Sequence, residues 1–375
     1  MSQYFLALAT FAGTTIGVGL FGLPYAAAQI GFVPMLIYLG ILSFIMLLIN
    51  LALAEITLRT PGDHRLPGYA EIYLGKRAKI VTLISNTVGL YVSMVAYIVI
   101  GGTFLASLIT PIIGGDIFIY TMIFYFAAIF TIFLGTKTIA RSEFLSLVIF
   151  FGVLIYLFVI SLFYIRTDNL FTVDLSNIIL PYGIILFAMS GASIIPELRE
   201  IMAKKEKLIA NVIATGTFIP AITYVIFIFI ILGVTGPATT ADALTGLQFI
   251  LGNQAVILGF IFGIIATFTS YISIGLTLKK IYWYDLKMSH LNAWMVACLI
   301  PIGLYFAGFN NFITIAVFSG AVTMGIDSII IFLTFLKARQ QGKREPEFKL
   351  GLPSFIVYIL IAIFLIGAII GLKLQ

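Results

Sequence analysis

One cysteine and two histidines are all that this 375-residue chain offers to thiol or imidazole chemistry. A lone Cys298 cannot form an internal disulfide, and it rules out a cysteine-built metal cluster. His64 and His290 fall in expected loops without ligand spacing, which leaves a membrane enzyme no clustered side chains to work with. Charge is equally scarce: Asp, Glu, Lys and Arg make up 10% of the chain, against about 25% in soluble domains. The first charged side chain is Glu55. A phosphate-binding glycine loop with its lysine is also missing, which argues against ATP as an energy source within the chain. No span carries a repeating polar stripe or a filter-like loop, so a channel is disfavoured. No basic region precedes the apolar opening, which continues as a first span rather than as a secretory signal.

What is present is hydrocarbon. The chain is 61% hydrophobic, its mean hydropathy is +1.16, and it contains repeated apolar runs long enough to cross about 30 Å of bilayer core. Polar breaks divide it into eleven expected spans: 5–28, 33–55, 80–108, 117–135, 143–165, 178–197, 208–232, 254–278, 291–308, 311–336 and 352–372. The weakest separation is AGFNNF, between the ninth and tenth. The reading is an all-α polytopic membrane protein with 11 transmembrane helices, its partner the lipid bilayer. With the N-terminus placed in the cytoplasm, all 21 basic residues except Arg166 and Lys373 fall on the inner side. These include Lys137, Arg141 and Lys204. This is the positive-inside pattern, and it accounts for the net charge of +6 without nucleic acid. It places the protein in the plasma (inner) membrane with an extracytoplasmic C-terminus. In the longest basic loop, 60–79, Tyr69 to Leu74 read as a short interfacial helix. The outward loop 233–253 either dips against the protein or is an exposed linker.

The first span holds FAGTTIGVGLFGLPYA, residues 11–26, with four glycines and a proline where a helix interior wants neither. Two readings compete. Small residues serve close helix packing in membranes; alternatively, the helix is unwound, which hydrocarbon tolerates only where backbone faces protein or an aqueous cavity. The sixth span weighs for unwinding. Gly19 is followed by Pro24 five positions on, and Gly191 by Pro196 five positions on. Each pair lies in the first span of a five-span unit, and interrupted spans at corresponding places in two halves point to a transporter's binding site. The units are 1–165 and 166–336, with 337–375 a cytoplasmic linker and the eleventh span. An odd number of spans per unit gives the two opposite orientations. Pro24 is expected near the start of the second half-helix, where its missing amide hydrogen is tolerated.

No charge lies in either interruption, which suits a zwitterion and disfavours polyamines. A carboxylate would meet the amides of Gly17, Val18 and Gly19. An ammonium would meet carbonyls of Ala12, Gly13 and Thr14, joined by those of Phe187 and Ala188 around Gly191. Thr14, Thr15 and Ser190 add hydroxyls. Phe187 and Met189 offer an apolar wall, although most of the 34 phenylalanines are packing residues.

TIGVGLFGLPYAAAQIGF resembles the first span of amino-acid permeases in the tyrosine/tryptophan permease and auxin/amino-acid permease groups of the amino acid–polyamine–organocation superfamily. GIILFAMSGASIIPELRE resembles their sixth span and TFTSYISIGLTLKKIYWYD their eighth. The resemblance implies a five-plus-five inverted repeat with helices 1 and 6 unwound, as in leucine-transporter-like proteins. It also implies symport of a small-molecule amino acid, neutral and of aromatic or hydrophobic type, with H+ or Na+ and no other cofactor. In sodium-coupled relatives the ion lies between span-1 carbonyls and a Thr–Ser pair in span 8. That maps onto Gly13, Ile16, Ala266, Thr269 and Ser270, and the fifth span lacks the lysine that fills this space in some sodium-independent relatives. Hydroxyls in membrane helices also bond simply to their own backbone. The proton alternative has three acids. Asp327 is the deepest, and an intramembrane acid is a functional candidate by default; Glu55 and Glu197 lie near inner span ends, where each also suits an arginine-paired gate. The bacterial members' proton coupling tips the balance slightly toward protons. A permease-fold sensor would keep the same pocket, but such proteins tend to add a large soluble segment.

Overall fold

The computed structural model describes residues 3–62, 64–134, 139–203, 205–285 and 287–373. Lys137 and Lys204, assigned above to inward loops, lie outside the described residues, as does the side chain of Arg141. The chain is all helical among the described residues. In order the helices are α1 (Gln3–Thr15), α2 (Gly19–Ile30), α3 (Phe32–Arg59), α4 (Leu66–Leu74), α5 (Lys76–Ile113), α6 (Ile117–Leu134), α7 (Ile139–Ser161) and α8 (Leu180–Ala188). Then follow α9 (Ile195–Ile201), α10 (Ile209–Thr235), α11 (Leu244–Leu251), α12 (Asn253–Lys280), α13 (His290–Phe306), α14 (Phe312–Phe318), α15 (Met324–Gln341) and α16 (Ser354–Lys373).

Among the described residues eight helices are long and apolar enough to cross a membrane, and the bent pair α1–α2 makes nine. This is an all-α polytopic membrane protein. The fifth and ninth expected spans are the short ones, with apolar helices at Leu147–Ser161 and His290–Phe306. His290, expected in a loop, is the first residue of α13. The AGFNNF stretch does turn the chain, with Gly308 at φ +100°, a conformation that favours glycine. The third span is longer than its apolar run because Lys76 and Lys79 extend the helix at its polar end. Helix α4 has one face packed on the protein while Ile72 on the other is exposed. Tyr69, Ala70 and Tyr73 are buried, and α4 packs on α5 and α15. The outward loop does dip inward: Ala243, Leu244 and Leu247 are fully buried.

Burial sorts the spans into inner and outer. The apolar window of Phe312–Gln341 is 72% buried, whereas that of Ser354–Lys373 is 33% buried, so α16 stands at the periphery with Phe355, Ile359 and Ile366 facing lipid. At the centre α2, α8 and α10 pack on one another or on shared neighbours, with α14 against α8. Close approach there is a matter of missing side chains. A Cβ on Gly320 would fall 1.8 Å from the Gly183 carbonyl oxygen, and one on Gly183 would fall 2.7 Å from that of Val317.

Near the end of α3 Glu55 is 1% exposed. It pairs with Arg59 at 2.8 Å and accepts from the Leu350 amide. Arg199 donates to the carbonyls of Thr57, Thr60 and Gly62 and to Glu206 at 3.2 Å. Arg344 joins Glu206 and Glu347. Burial, and then the neighbouring Glu206 carboxylate, raise the pKa of Glu347. This network ties the linker before α16 to the ends of α3 and α9.

Gly320→Ala is expected to lower the thermal unfolding midpoint of the purified protein, since overpacking a fitted contact costs about 1–3 kcal/mol. Gly40→Ala, where an added Cβ meets nothing within 4 Å, should leave the midpoint unchanged.

Candidate functional site

Two helix breaks face each other at the centre of the bundle. The first occupies residues 16–18, where the axes of α1 and α2 diverge by 52°. Its cause is local. Gly13, Gly17 and Gly19 make the helix cheap to open, and the β-branched run Thr14, Thr15, Ile16 crowds the preceding turn. Pro24 contributes differently from expectation. It is the sixth residue of α2, beyond the first turn, so it removes the helical donor for the Leu20 carbonyl.

The hydrogen bonds around this break separate used groups from unused ones. The Ile16 amide bonds to Ala12 O at 2.8 Å and the Gly17 amide to Thr15 O at 2.9 Å, while Leu20 and Phe21 amides return to Gly17 O and Val18 O. Among the described residues the amides of Val18 and Gly19 have no acceptor, and the carbonyls of Gly13 and Thr14 have no donor. Of the expected carboxylate donors, then, Gly17 is already engaged, and of the expected ammonium acceptors Ala12 is. In both cases the chain closes a tight local bond before the break opens fully.

The second break runs through residues 189–191 and a short 3-10 turn, Ala192–Ile194, before α9 resumes. The Ser190 amide makes a long 3.4 Å bond to Phe187 O. Phe187 and Met189 are buried, and Ser190 is half-buried. The two breaks touch at two points. A Cβ on Gly19 would lie 2.5 Å from Ala188 Cα, and a Cβ on Gly191 would lie 2.9 Å from the Thr15 hydroxyl. Gly19 and Gly191 are required for this crossing as much as for unwinding, so the packing and unwinding readings both hold.

Two tyrosines complete the site. Tyr224 on α10 directs its hydroxyl at Thr15 O and Ala188 O, each at 2.8 Å, so Ala188 O shares one phenolic hydrogen with Thr15 O. Tyr97 on α5 brings its hydroxyl to 3.2 Å from the position of a Gly17 Cβ. Neither was legible in the sequence, because the chain has 18 tyrosines. The span of Tyr224 also holds Asn211, Thr215, Thr217 and Thr223, so a hydroxyl at 224 did not stand out.

The threonine hydroxyls expected to position a ligand turn back on their own helix. Thr14 donates to Thr10 O at 2.8 Å and Thr15 to Phe11 O at 2.9 Å. Thr269 does likewise, donating to Ile265 O and Ala266 O at 3.0 and 3.2 Å. Helix α12, which carries Ala266, Thr269 and Ser270, packs chiefly on α5 and α7. Among the described residues it forms no extended contact with α1, and Ile16 lies in the break between α1 and α2.

The three acids separate by environment. Glu55 and Glu197 are paired, the latter with Arg65 at 2.8 Å on an exposed surface. Asp327 is different. Its Oδ1 is sealed from the surface without a hydrogen-bond partner among the described residues, and the side chains of Ser85 and Asn86 lie against its carboxyl. Just before it, residues Ser319–Thr323 form a π-helical turn, a feature frequent at functional sites.

The tryptophan/tyrosine permease family profile matches residues 1–371. The chain is 26% identical over 285 residues to tyrosine-specific transport system 1 of Haemophilus influenzae, covering 72% of this chain and 70% of the relative. It is 28% identical over 224 residues to tyrosine-specific transport system 2 of the same organism, covering 58% of this chain and 54% of that one. Among solved structures it resembles MhsT in complex with L-phenylalanine, with a TM-score of 0.71 over 98% of this chain and 99% of the other, at 19% identity. At that identity the likeness establishes the fold.

Gly19→Ala is expected to force α2 off α8 and to weaken ligand binding by about tenfold or more, on the scale of lost close packing, measured by isothermal titration. Thr269→Ala should change affinity by less than about twofold, with or without sodium, because its hydroxyl serves its own helix.

Proposed function

Because the chain belongs to the tryptophan/tyrosine permease family, we propose that it is a secondary active symporter of neutral aromatic or hydrophobic amino acids in the plasma (inner) membrane. One observation carries the site assignment: unpaired amides of Val18 and Gly19 and unpaired carbonyls of Gly13 and Thr14 at one break, with the second break against it. A zwitterion supplies what these groups lack. Its carboxylate accepts from the amides at the start of α2, where the helix dipole is positive. Its ammonium donates to the carbonyls at the end of α1, and Phe187 and Met189 flank the side chain. The tyrosine specificity of the two Haemophilus influenzae transport systems and the L-phenylalanine bound to MhsT agree with an apolar wall.

The finer architecture is part of the same reading. Eleven spans with the N-terminus inside fit the basic residues. Residues 1–165 and 166–336 then form two inverted five-span units, each opened by a broken helix, with 337–375 carrying the last span. Alternating access rocks these units about the site.

Coupling runs through a proton at Asp327. An acid buried in a membrane bundle is a functional candidate by default, and Asp327, unlike Glu55 and Glu197, has no arginine partner among the described residues. The Thr269 hydroxyl, which donates to its own helix, needs no ion to be satisfied.

Reconstituted protein given a mixture of amino acids should accumulate tyrosine and phenylalanine under an inwardly directed proton gradient, and should not under a sodium gradient alone. Asp327→Asn should abolish accumulation by at least about tenfold, as for loss of a required proton carrier, while retaining exchange of internal for external substrate. Sodium-driven uptake that survives Asp327→Asn would overturn the proton assignment. Ligand binding without uptake under either gradient would instead favour a sensor.

A further inference from the structure

Tyr224 stands mid-way along α10 with no exposed surface. Its hydroxyl oxygen lies 2.8 Å from the carbonyl oxygens of both Thr15 and Ala188. Those two residues are the last of α1 and of α8, so the negative ends of two half-helices meet at one phenol. A phenol carries a single hydrogen. It cannot satisfy both carbonyls fully at once. Thr15 O has a second donor in the Gly17 amide; Ala188 O has no other among the described residues. The neighbouring carbonyls of Gly13 and Thr14 have none. The crossing is therefore rich in acceptors and short of hydrogens, in a medium where an unmet carbonyl is costly. A primary ammonium, with three donors and a positive charge, is the complementary group.

We propose that Tyr224 is a positioning residue for the substrate's α-ammonium: its hydroxyl holds the Thr15 and Ala188 carbonyls together in the empty site and yields them when the ammonium arrives. This rests on the transport reading above and assigns the ammonium end of that site. The phenol and the ammonium are competing donors for the same acceptors. Removing the phenol leaves the empty site with an unmet carbonyl, which the ammonium then satisfies without displacing anything. Strengthening the phenol as a donor does the reverse. The carboxylate end, served by Val18 and Gly19, is untouched, so the effect belongs only to ligands that carry an ammonium.

The test is equilibrium binding to the full-length protein in lipid nanodiscs. L-tyrosine and L-phenylalanine are compared with their des-amino analogues, 3-(4-hydroxyphenyl)propanoate and 3-phenylpropanoate. Three proteins are compared: wild type, Tyr224→Phe, and protein carrying 3-fluorotyrosine at position 224, which keeps the phenol's size and sharpens it as a donor. In Tyr224→Phe the preference for amino acid over analogue should rise about tenfold, the scale of one charge-assisted hydrogen bond, while maximal uptake falls because the empty crossing is no longer held. The fluorinated protein should shift the preference the other way. Equal weakening of both ligand classes, or an unchanged preference, overturns the proposal and leaves Tyr224 a packing residue in an intact transporter. Should Tyr224→Phe fail to give a monodisperse protein, the fluorinated protein decides alone. If wild type binds neither amino acid, the transport reading falls, and this assignment with it.

Discussion

A peptide group in hydrocarbon has no water to turn to, and everything distinctive about this structure follows from that. Thirteen residues of α1 and nine of α8 satisfy their own backbone and then stop short of crossing. Each break exposes amides on one side and carbonyls on the other. Neither could face lipid. The two breaks are instead brought against each other inside the bundle, under α10 and α5, where tyrosine hydroxyls meet part of the demand. What is left unmet among the described residues are the amides of Val18 and Gly19 and the carbonyls of Gly13 and Thr14. The candidate site is thus made by the backbone.

Bringing two broken helices together requires that nothing stand between them. Gly19 meets Ala188, Gly191 meets Thr15, and Gly183 meets Gly320, with distances that leave no room for a Cβ. These glycines act through contact. A larger residue at any of them would leave the unwound backbone available but separate the half-sites that must share a ligand. The same economy explains why Tyr224 reaches two carbonyls at once: the ends of α1 and α8 are close enough for one phenolic oxygen to sit within hydrogen-bond distance of both.

Charge is handled in the opposite way, by concentration around the ends of α3 and α9. Glu55, Arg59, Arg199, Glu206, Arg344 and Glu347 form linked pairs that fix the linker before α16 to the ends of α3 and α9. Within the bundle one carboxyl stands apart. Asp327 has polar neighbours in Ser85 and Asn86 and no cationic partner among the described residues, and a π-helical turn adjoins its helix. A buried acid of this kind is a functional candidate by default.

Membrane class, helical content and the broken first and sixth spans were legible in the sequence. Long apolar runs, and glycine and proline at matching places, act locally and do not need the rest of the chain. Val18 and Gly19 were identified for the same reason: the first amides after a helix restart are unpaired whatever surrounds them. Ala12, Gly17, Ala188 and Thr269 were expected to meet a ligand, and each also has a partner within the protein, which in the case of Ala188 comes from 36 residues further along the chain. The short helix over 66–74 packs one face on α5 and α15. The sequence by itself determined where the backbone would open. Only the tertiary structure decided which of the opened groups stay free, because a carbonyl's availability depends on donors that chain folding brings from far away in sequence, and no local pattern marks Tyr224 or Tyr97 as the residues that arrive.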